Sequence, residues 1–277
     1  MRILVTGAAG SIGTVLVSGL TDRGHDVFGL DRSAATDGYG ERWYTVDATD
    51  PDAVDAVFTD LDRSGGVDAV VHLAGIPDEA SLTDELDSHV VSTAALLDAM
   101  VGHGVSRIVY ASSNHAVGRT PRSDRLTVDV RPRPDTFYGV AKVAAEALLS
   151  LYVDRHGIDA VSLRIGSFLP QPETTRGLST WLSHDDAVRM FDACLTTPDP
   201  GFGVLYGVSD NTRGWWDLEP GRRLGYHPQD DAERYADQVT PDPDRDEVQG
   251  AHVGGPFATE EFQRPALDGP VVPPPGA

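Results

Sequence analysis

Tyr138 stands four residues before Lys142 in the run Tyr138-Gly139-Val140-Ala141-Lys142. On a helix that spacing places both side chains on one face, so a phenol and an ammonium can address one ligand. Lys142 is also the single lysine of the chain, the other basic residues all being arginine. A guanidinium is wide and planar, while an ammonium is a compact point charge that titrates readily when buried. Keeping lysine at this one place therefore points to chemistry. A free tyrosine ionises near pH ~10, and a cation beside it lowers that by roughly 1–3 units. The pair is thus expected to act as a base that takes a proton from a hydroxyl.

A second chemical signal lies at the start of the chain. Gly7-Ala8-Ala9-Gly10-Ser11-Ile12-Gly13 follows the apolar run Ile3-Leu4-Val5-Thr6 and opens a segment with helical spacing. Small residues there permit a tight turn and close approach of a pyrophosphate, held by the free N–H groups at the helix start. Asp31 ends the second apolar run, 18 residues beyond Gly13. A carboxylate at that point accepts hydrogen bonds from a ribose and repels a 2′-phosphate, which favours NAD over NADP. Arg32 follows directly and is able to tolerate a phosphate. Asp47, with Ala48 after it, ends the third run and offers an acceptor for an adenine amino group, or serves only to lead into a helix. Leu73-Ala74-Gly75 closes the fourth with small residues, as a chain passing beside a cofactor requires. Ser112-Ser113-Asn114-His115 closes the fifth. These polar residues either face a ligand crevice or form a turn with local backbone bonds.

The elements that must position these groups alternate. Strand-like runs are expected at 3–6, 27–30, 43–46, 67–73, 107–111 and 160–165, with a late strand at 203–208. Helices are expected at 11–23, from Asp50-Pro51 onward, at 82–101, 138–156 and 184–195, with a polar loop at 171–178. Strict alternation with unbroken apolar strands predicts an α/β, Rossmann-like, doubly wound parallel sheet. The expected layout is a dinucleotide-binding domain at 1–165 and a small substrate lobe at 166–240. Residues 241–277, rich in Pro, Gly and Asp and ending near Pro273-Pro274-Pro275, are expected to be extended or disordered. Ser183-His184-Asp185-Asp186 reads as a helix N-cap with acidic first-turn residues, and Trp215-Trp216 as packing of the small lobe.

Composition excludes several function classes. The net charge of −21 would be repelled by a phosphate backbone, which excludes nucleic-acid partners. No apolar run reaches membrane-spanning length. One cysteine, Cys194, leaves no disulfide framework or cysteine zinc site, and its apolar surroundings predict burial. No metal site is expected. Met1 runs almost directly into a strand, which predicts a cytoplasmic protein. The dispersed acid and scarce lysine predict adaptation to high salt.

Taken together, Gly7-x-x-Gly10-x-x-Gly13, Asp31, Ser113 and Tyr138-x-x-x-Lys142 resemble the extended short-chain dehydrogenase/reductase superfamily over roughly residues 1–230. Further stretches are similar to bacterial uronate dehydrogenases: Ser112 to His115, Arg164-Ile165-Gly166-Ser167, Arg176 with the run 179–186, and Gly214-Trp215-Trp216-Asp217. The resemblance implies NAD-dependent oxidation of the anomeric carbon of glucuronate or galacturonate to an aldaro-lactone. It implies Ser113 holding the reacting hydroxyl, Tyr138 as base and Lys142 as its electrostatic helper, with the oxidised nicotinamide as the second cation that lowers the tyrosine. Ser113, Tyr138, Asn114, His115, Ser167 and Arg176 would grip the sugar acid. Gly7, Gly10, Ser11, Ile12, Gly13, Asp31, Arg32, Asp47, Ala48, Leu73 to Gly75, Tyr138, Lys142 and Ile165 would hold NAD. It further implies a homo-oligomer formed through the Tyr–Lys helix. Pro77 replaces a family serine that touches substrate, and His89 replaces an asparagine that assists the lysine. Another sugar dehydrogenase, such as one for glucose 6-phosphate with Arg176 on the phosphate, is the neighbouring alternative. A non-catalytic NAD-sensing protein is the alternative outside enzymes, and a nucleotide-sugar epimerase is disfavoured by the short lobe.

Overall fold

A computed structural model describes residues 1–35, 42–259 and 262. Seven strands form one sheet in the order β3-β2-β1-β4-β5-β6-β9, and every neighbouring pair is parallel. The strands are β1 (Arg2–Thr6), β2 (Asp26–Asp31), β3 (Trp43–Thr45), β4 (Ala69–His72), β5 (Arg107–Ser113), β6 (Asp159–Ile165) and β9 (Phe202–Gly207). This is the expected doubly wound architecture, including the late strand.

Alternation along each strand sends neighbouring side chains to opposite faces. Ile3, Val5 and Val71 pack with Leu16 and Leu20 of α1 (Ser11–Asp22) and with Met190 and Phe191 of α7 (His184–Thr196). Leu4, Leu30 and Val70 pack on the other side with Val54 and Phe58 of α2 (Pro51–Arg63), Leu96 and Met100 of α4 (Ser92–Gly102), and Leu149 of α5 (Phe137–His156). Apolar matter on both faces is why the strands read as unbroken hydrophobic runs. Cys194 lies wholly buried in the first of these layers, as expected.

The helix starts follow capping chemistry. Asp50 accepts from Asp52 N and Ala53 N ahead of Pro51. Ser183 accepts from Asp186 N, and His184 stacks on Phe168 at 4.6 Å. Trp215 and Trp216 stack at 3.8 Å inside a small cluster with Tyr206 and Val208, the packing role expected of them.

Three segments differ from expectation. The single helix anticipated over 82–101 is α3 (Leu82–Leu86), a π turn (Asp87–Val91) and then α4. Sequence periodicity does not register the one inserted residue of a π turn. Within the polar stretch 171–178, Gly177 begins a short helix, α6 (Gly177–Thr180). It leads into β8 (Trp181–Leu182), which pairs with β7 (Ser167–Phe168). The stretch from 241 is not simply extended. Asp242 caps α8 (Pro243–Gly250), and Gly255–Ala258 form a 3-10 turn. Composition suggested disorder, but Asp followed by Pro is also a helix-start signal. Val253 N donates to Thr120 O at 3.0 Å and Gly254 N to Gly118 O at 2.8 Å, fastening this segment to the loop after β5. The rest of the expected tail lies outside the described residues. Among the described residues no helix is long and apolar enough to cross a membrane, and no cluster of metal-ligating side chains occurs.

Candidate active site

The strand order reverses between β1 and β4, and a cavity of about 640 Å³ opens at the carboxyl ends of the strands there. Gly7 has φ +68°, and a Cβ on it would stand 2.7 Å from Ala74 N. A Cβ on Gly13 would stand 2.3 Å from Gly7 O. Only glycine lets the turn pass this close to the end of β4 and to α1. The first turn of α1 carries no acidic residue, so its positive end is uncompensated and its N–H groups face the cavity. Asp31 accepts from Ala9 N at 3.0 Å and from Ser33 N at 2.9 Å, which braces the glycine turn. Bonds from Thr49 hold the Asp47 carboxyl below its usual range. The expected cofactor-holding residues all line this one cavity: Gly7, Gly10 to Gly13, Asp31, Arg32, Asp47, Ala48, Leu73 to Gly75, Tyr138, Lys142 and Ile165. A dinucleotide fits such a cradle, whose tight turn would be closed by any side chain on Gly7 or Gly13.

The expected reacting groups meet in the same cavity. Ser113 ends β5, while Tyr138 and Lys142 project from the first turns of α5. The start of α5 is held by two acceptors from outside the helix. Thr136 Oγ1 accepts from Gly139 N at 2.8 Å. Glu79, from the loop after β4, accepts from Phe137 N at 2.9 Å and Tyr138 N at 3.1 Å. Lys142 is 3% exposed, donates to Ala111 O at 2.7 Å, and lies 4.9 Å from the Tyr110 ring centre and 5.1 Å from that of Tyr138.

The electrostatics depart from the sequence expectation. Burial pushes the Tyr138 phenol up to about 12, a hydrogen bond with Ser113 opposes this, and the Glu85 and Asp78 charges add to it. Burial also pushes Lys142 down to about 7, with Glu85 and Glu146 pulling it back. The protein's own groups around Tyr138 therefore raise the phenol rather than lower it, burial being the largest cause, and burial likewise dominates at Lys142.

Four further residues expected to grip substrate do not line this cavity. Asn114 is buried in the turn after β5. His115 Nδ1 pairs with the buried Asp135 carboxylate at 3.0 Å, and its ring meets Phe257 edge-on at 4.9 Å. Ser167 and Thr180 share a hydrogen bond at 2.9 Å. Arg176 lines a second cavity of about 130 Å³ with Arg122, Arg213 and Trp215. Its Nη2 donates to Val253 O at 2.5 Å, and its Nε is buried without a hydrogen-bond partner among the described residues. Burial lowers its guanidinium to about 10. A Cβ on Gly255 would stand 2.3 Å from that Nε, so the 253–257 segment packs directly on Arg176.

Sequence reasoning missed Glu79, Asp135, Phe257 and the buried pair Glu146–Arg164. Glu146 accepts from Ser112 Oγ at 2.6 Å, Arg164 Nε at 3.0 Å and Arg164 Nη2 at 2.8 Å. Its one legible signal was position i+4 from Lys142. The others lie far along the chain from the groups they serve.

With this site in place, the matches to known proteins take on meaning. Residues 3–183 match the NAD dependent epimerase/dehydratase family, and the chain belongs to that family. Within it, the chain is 38% identical over 261 residues to the uronate dehydrogenase of Pseudomonas putida, covering 93% of this chain and 95% of that one. It is similar in structure to the uronate dehydrogenase of Agrobacterium tumefaciens, with a TM-score of 0.84 and 37% identity over 93% of this chain and 96% of that one. A variant of that enzyme has been solved in complex with NAD. The chain is also 34% identical over 262 residues to an NAD-dependent glucose-6-phosphate dehydrogenase of Haloferax volcanii, covering 86% of this chain and 97% of that one.

Proposed function

We propose that this protein is an NAD-dependent dehydrogenase that oxidises the C1 hydroxyl of a hexuronate, glucuronate or galacturonate, to the aldaro-lactone. The observation that carries this is the meeting of Ser113, Tyr138 and Lys142 in the glycine-cradled cavity, in a chain similar over nearly its whole length to uronate dehydrogenases.

Asp31 and the α1 N-terminus hold the adenosine ribose and the pyrophosphate. NAD, when bound, supplies the acceptor for the hydride that leaves C1. Ser113 orients the C1 hydroxyl by hydrogen bonding, and Tyr138 Oη takes its proton as the C1–O bond becomes a carbonyl. Lys142, in its charged form, stabilises the tyrosinate that receives this proton. The 166–240 lobe supplies the sugar-acid contacts. Ser167 and Arg176 contribute once the 253–257 segment shifts off the guanidinium, which matches a carboxylate in geometry.

Three finer readings accompany this. The charge of −21 supports a salt-adapted protein. Its NAD dependence and lone buried thiol suit the cytoplasm. Phe137, Val140 and Leu151, exposed at 43%, 38% and 38%, give α5 an apolar outer face that supports a homo-oligomer.

The decisive assay incubates the protein with NAD and, separately, glucuronate, galacturonate or glucose 6-phosphate in high salt, and follows reduced cofactor. Uronate turnover is expected. Turnover of the sugar phosphate alone would transfer the reading to the Haloferax type of activity, and no turnover of any sugar would refute it.

A further inference from the structure

Among the described residues, three buried side-chain atoms without hydrogen-bond partners lie on groups packed in a chain about the Tyr138–Lys142 pair: Tyr110 Oη, His89 Nδ1 and Glu85 Oε2. Such atoms are rare in folded proteins, and a cluster of them asks for a functional cause. Tyr110 lies beneath the ammonium. His89, on the π turn, meets the Tyr138 ring edge-on at 5.3 Å and is itself pressed against Gly75, where a Cβ would come within 2.1 Å of His89 Cε1. Glu85, fully buried on α3, stands behind it, with Oε2 3.3 Å from His89 Nε2.

The carboxylates around the catalytic pair are nearly all committed. Glu146 faces Arg164 through two hydrogen bonds. Asp135 faces His115, and Glu79 caps α5. Asp78 and Asp84 are exposed. Among the described residues, Glu85 is the buried one of these without a charged cation beside it. Oε1 accepts from Ala80 N at 2.8 Å, while Oε2 accepts no hydrogen bond from any described residue. His89 cannot serve as its cation. Its Nε2 donates to Ile76 O at 3.0 Å, and burial together with Lys142 and His72 forces its basicity down to about 2.

We infer that Glu85 is the counter-charge of Lys142, a positioning residue that keeps the catalytic ammonium protonated, with neutral His89 as the spacer that holds it against Tyr138. The inference rests on the reading of Tyr138 and Lys142 as the reacting pair. The ionisable groups facing Glu85 fit it. Glu79 and Asp84 supply only like charge, while Lys142 supplies the opposite charge; Glu85 in turn acts on both Lys142 and Tyr138. Burial raises Glu85 to about 7, so it carries its charge above that pH.

The single lysine makes the test direct. Protein labelled with ¹³Cε-lysine has one lysine signal, and its titration reports Lys142 alone in the cofactor-free, full-length chain. Glu85→Gln keeps the shape and the bond from Ala80 but removes the charge. The Lys142 midpoint is expected to fall by about 1 unit or more. The kcat/KM profile with uronate should move toward acid by a similar amount, since Tyr138 and Lys142 both lose an anion. Glu85→Asp keeps the charge and should return the midpoint most of the way to wild type, which also guards against misfolding of the first variant. An unchanged Lys142 midpoint in Glu85→Gln, or equal midpoints in the Gln and Asp variants, would overturn the inference. A protein that shows the NMR shift but turns over no sugar would instead count against the proposed function.

Discussion

Replacing Lys142 by arginine separates charge from chemistry, and the structure sets the size of the effect. Burial brings Lys142 from 10.5 to about 7. At ~1.4 kcal/mol per unit, the charged form is disfavoured by ~5 kcal/mol in the fold. Lysine escapes most of this above pH 7 by giving up its proton, whereas arginine stays charged at every accessible pH. At pH 9 the lysine forgoes only the ~1.5 units between 9 and its unfolded value, or ~2 kcal/mol, so Lys142→Arg should be less stable by ~3 kcal/mol. At pH 7 the lysine is itself about half charged, and the electrostatic difference shrinks below ~1 kcal/mol.

The unfolded chain binds more protons at this site than the folded one between pH 7 and 10.5. The lysine's contribution to stability therefore rises with pH in that window, while arginine's stays flat. Urea unfolding of the cofactor-free proteins at pH 7 and 9, at one salt concentration, measures the difference. Crowding by the larger guanidinium against Tyr110 and Tyr138 adds a penalty that does not depend on pH. Turnover should fall to a small fraction of wild type at both pH values, because a planar guanidinium does not occupy the place of the ammonium. A destabilisation identical at pH 7 and 9 would refute the burial argument, and full activity would show that positive charge alone is what this position requires.

Other outcomes follow from the same geometry. Tyr138→Phe should reduce turnover by ~10²-fold or more while NAD binding, followed by calorimetry, stays intact; retained turnover would remove Tyr138 as the base. Asp31→Ser should raise kcat/KM for NADP relative to NAD, since the carboxylate that repels a 2′-phosphate is gone, and an unchanged ratio would assign Asp31 to bracing Ala9 alone. Glu79→Ala strips two N–H acceptors from the start of α5 and should cost ~1–2 kcal/mol by urea unfolding; no loss would show that water replaces the carboxylate fully. Dilution from high into low salt should lower the melting temperature through self-repulsion of the −21 surface, and salt-independent melting would contradict the salt-adapted reading.

Much of the site was legible before the fold. The glycine turn, Asp31, Ser113 and the Tyr–Lys pair are each local patterns, within a few residues or at the end of a strand whose apolar run announces it. The parallel sheet was legible for the same reason. The π turn was not, because it changes helical phase by one residue without changing composition. Residues 243–258 misled because Pro, Gly and Asp serve both loops and helix caps.

Spacing along the chain determined which groups share a face, and so the lining of the glycine-turn cavity and the pair proposed to react. Lys142 illustrates the division. Its solitude and its place four residues from Tyr138 marked it as functional from the sequence alone. Its ionisation was decided by segments far away in sequence: β5 beneath it, α3 with Glu85 beside it, and Arg164 neutralising Glu146. Desolvation and counter-charge are sums over everything packed within a few ångströms, and only tertiary structure says what that is. The same holds for Arg176, a polar-loop arginine by sequence, which the fold buries under residues 253–257.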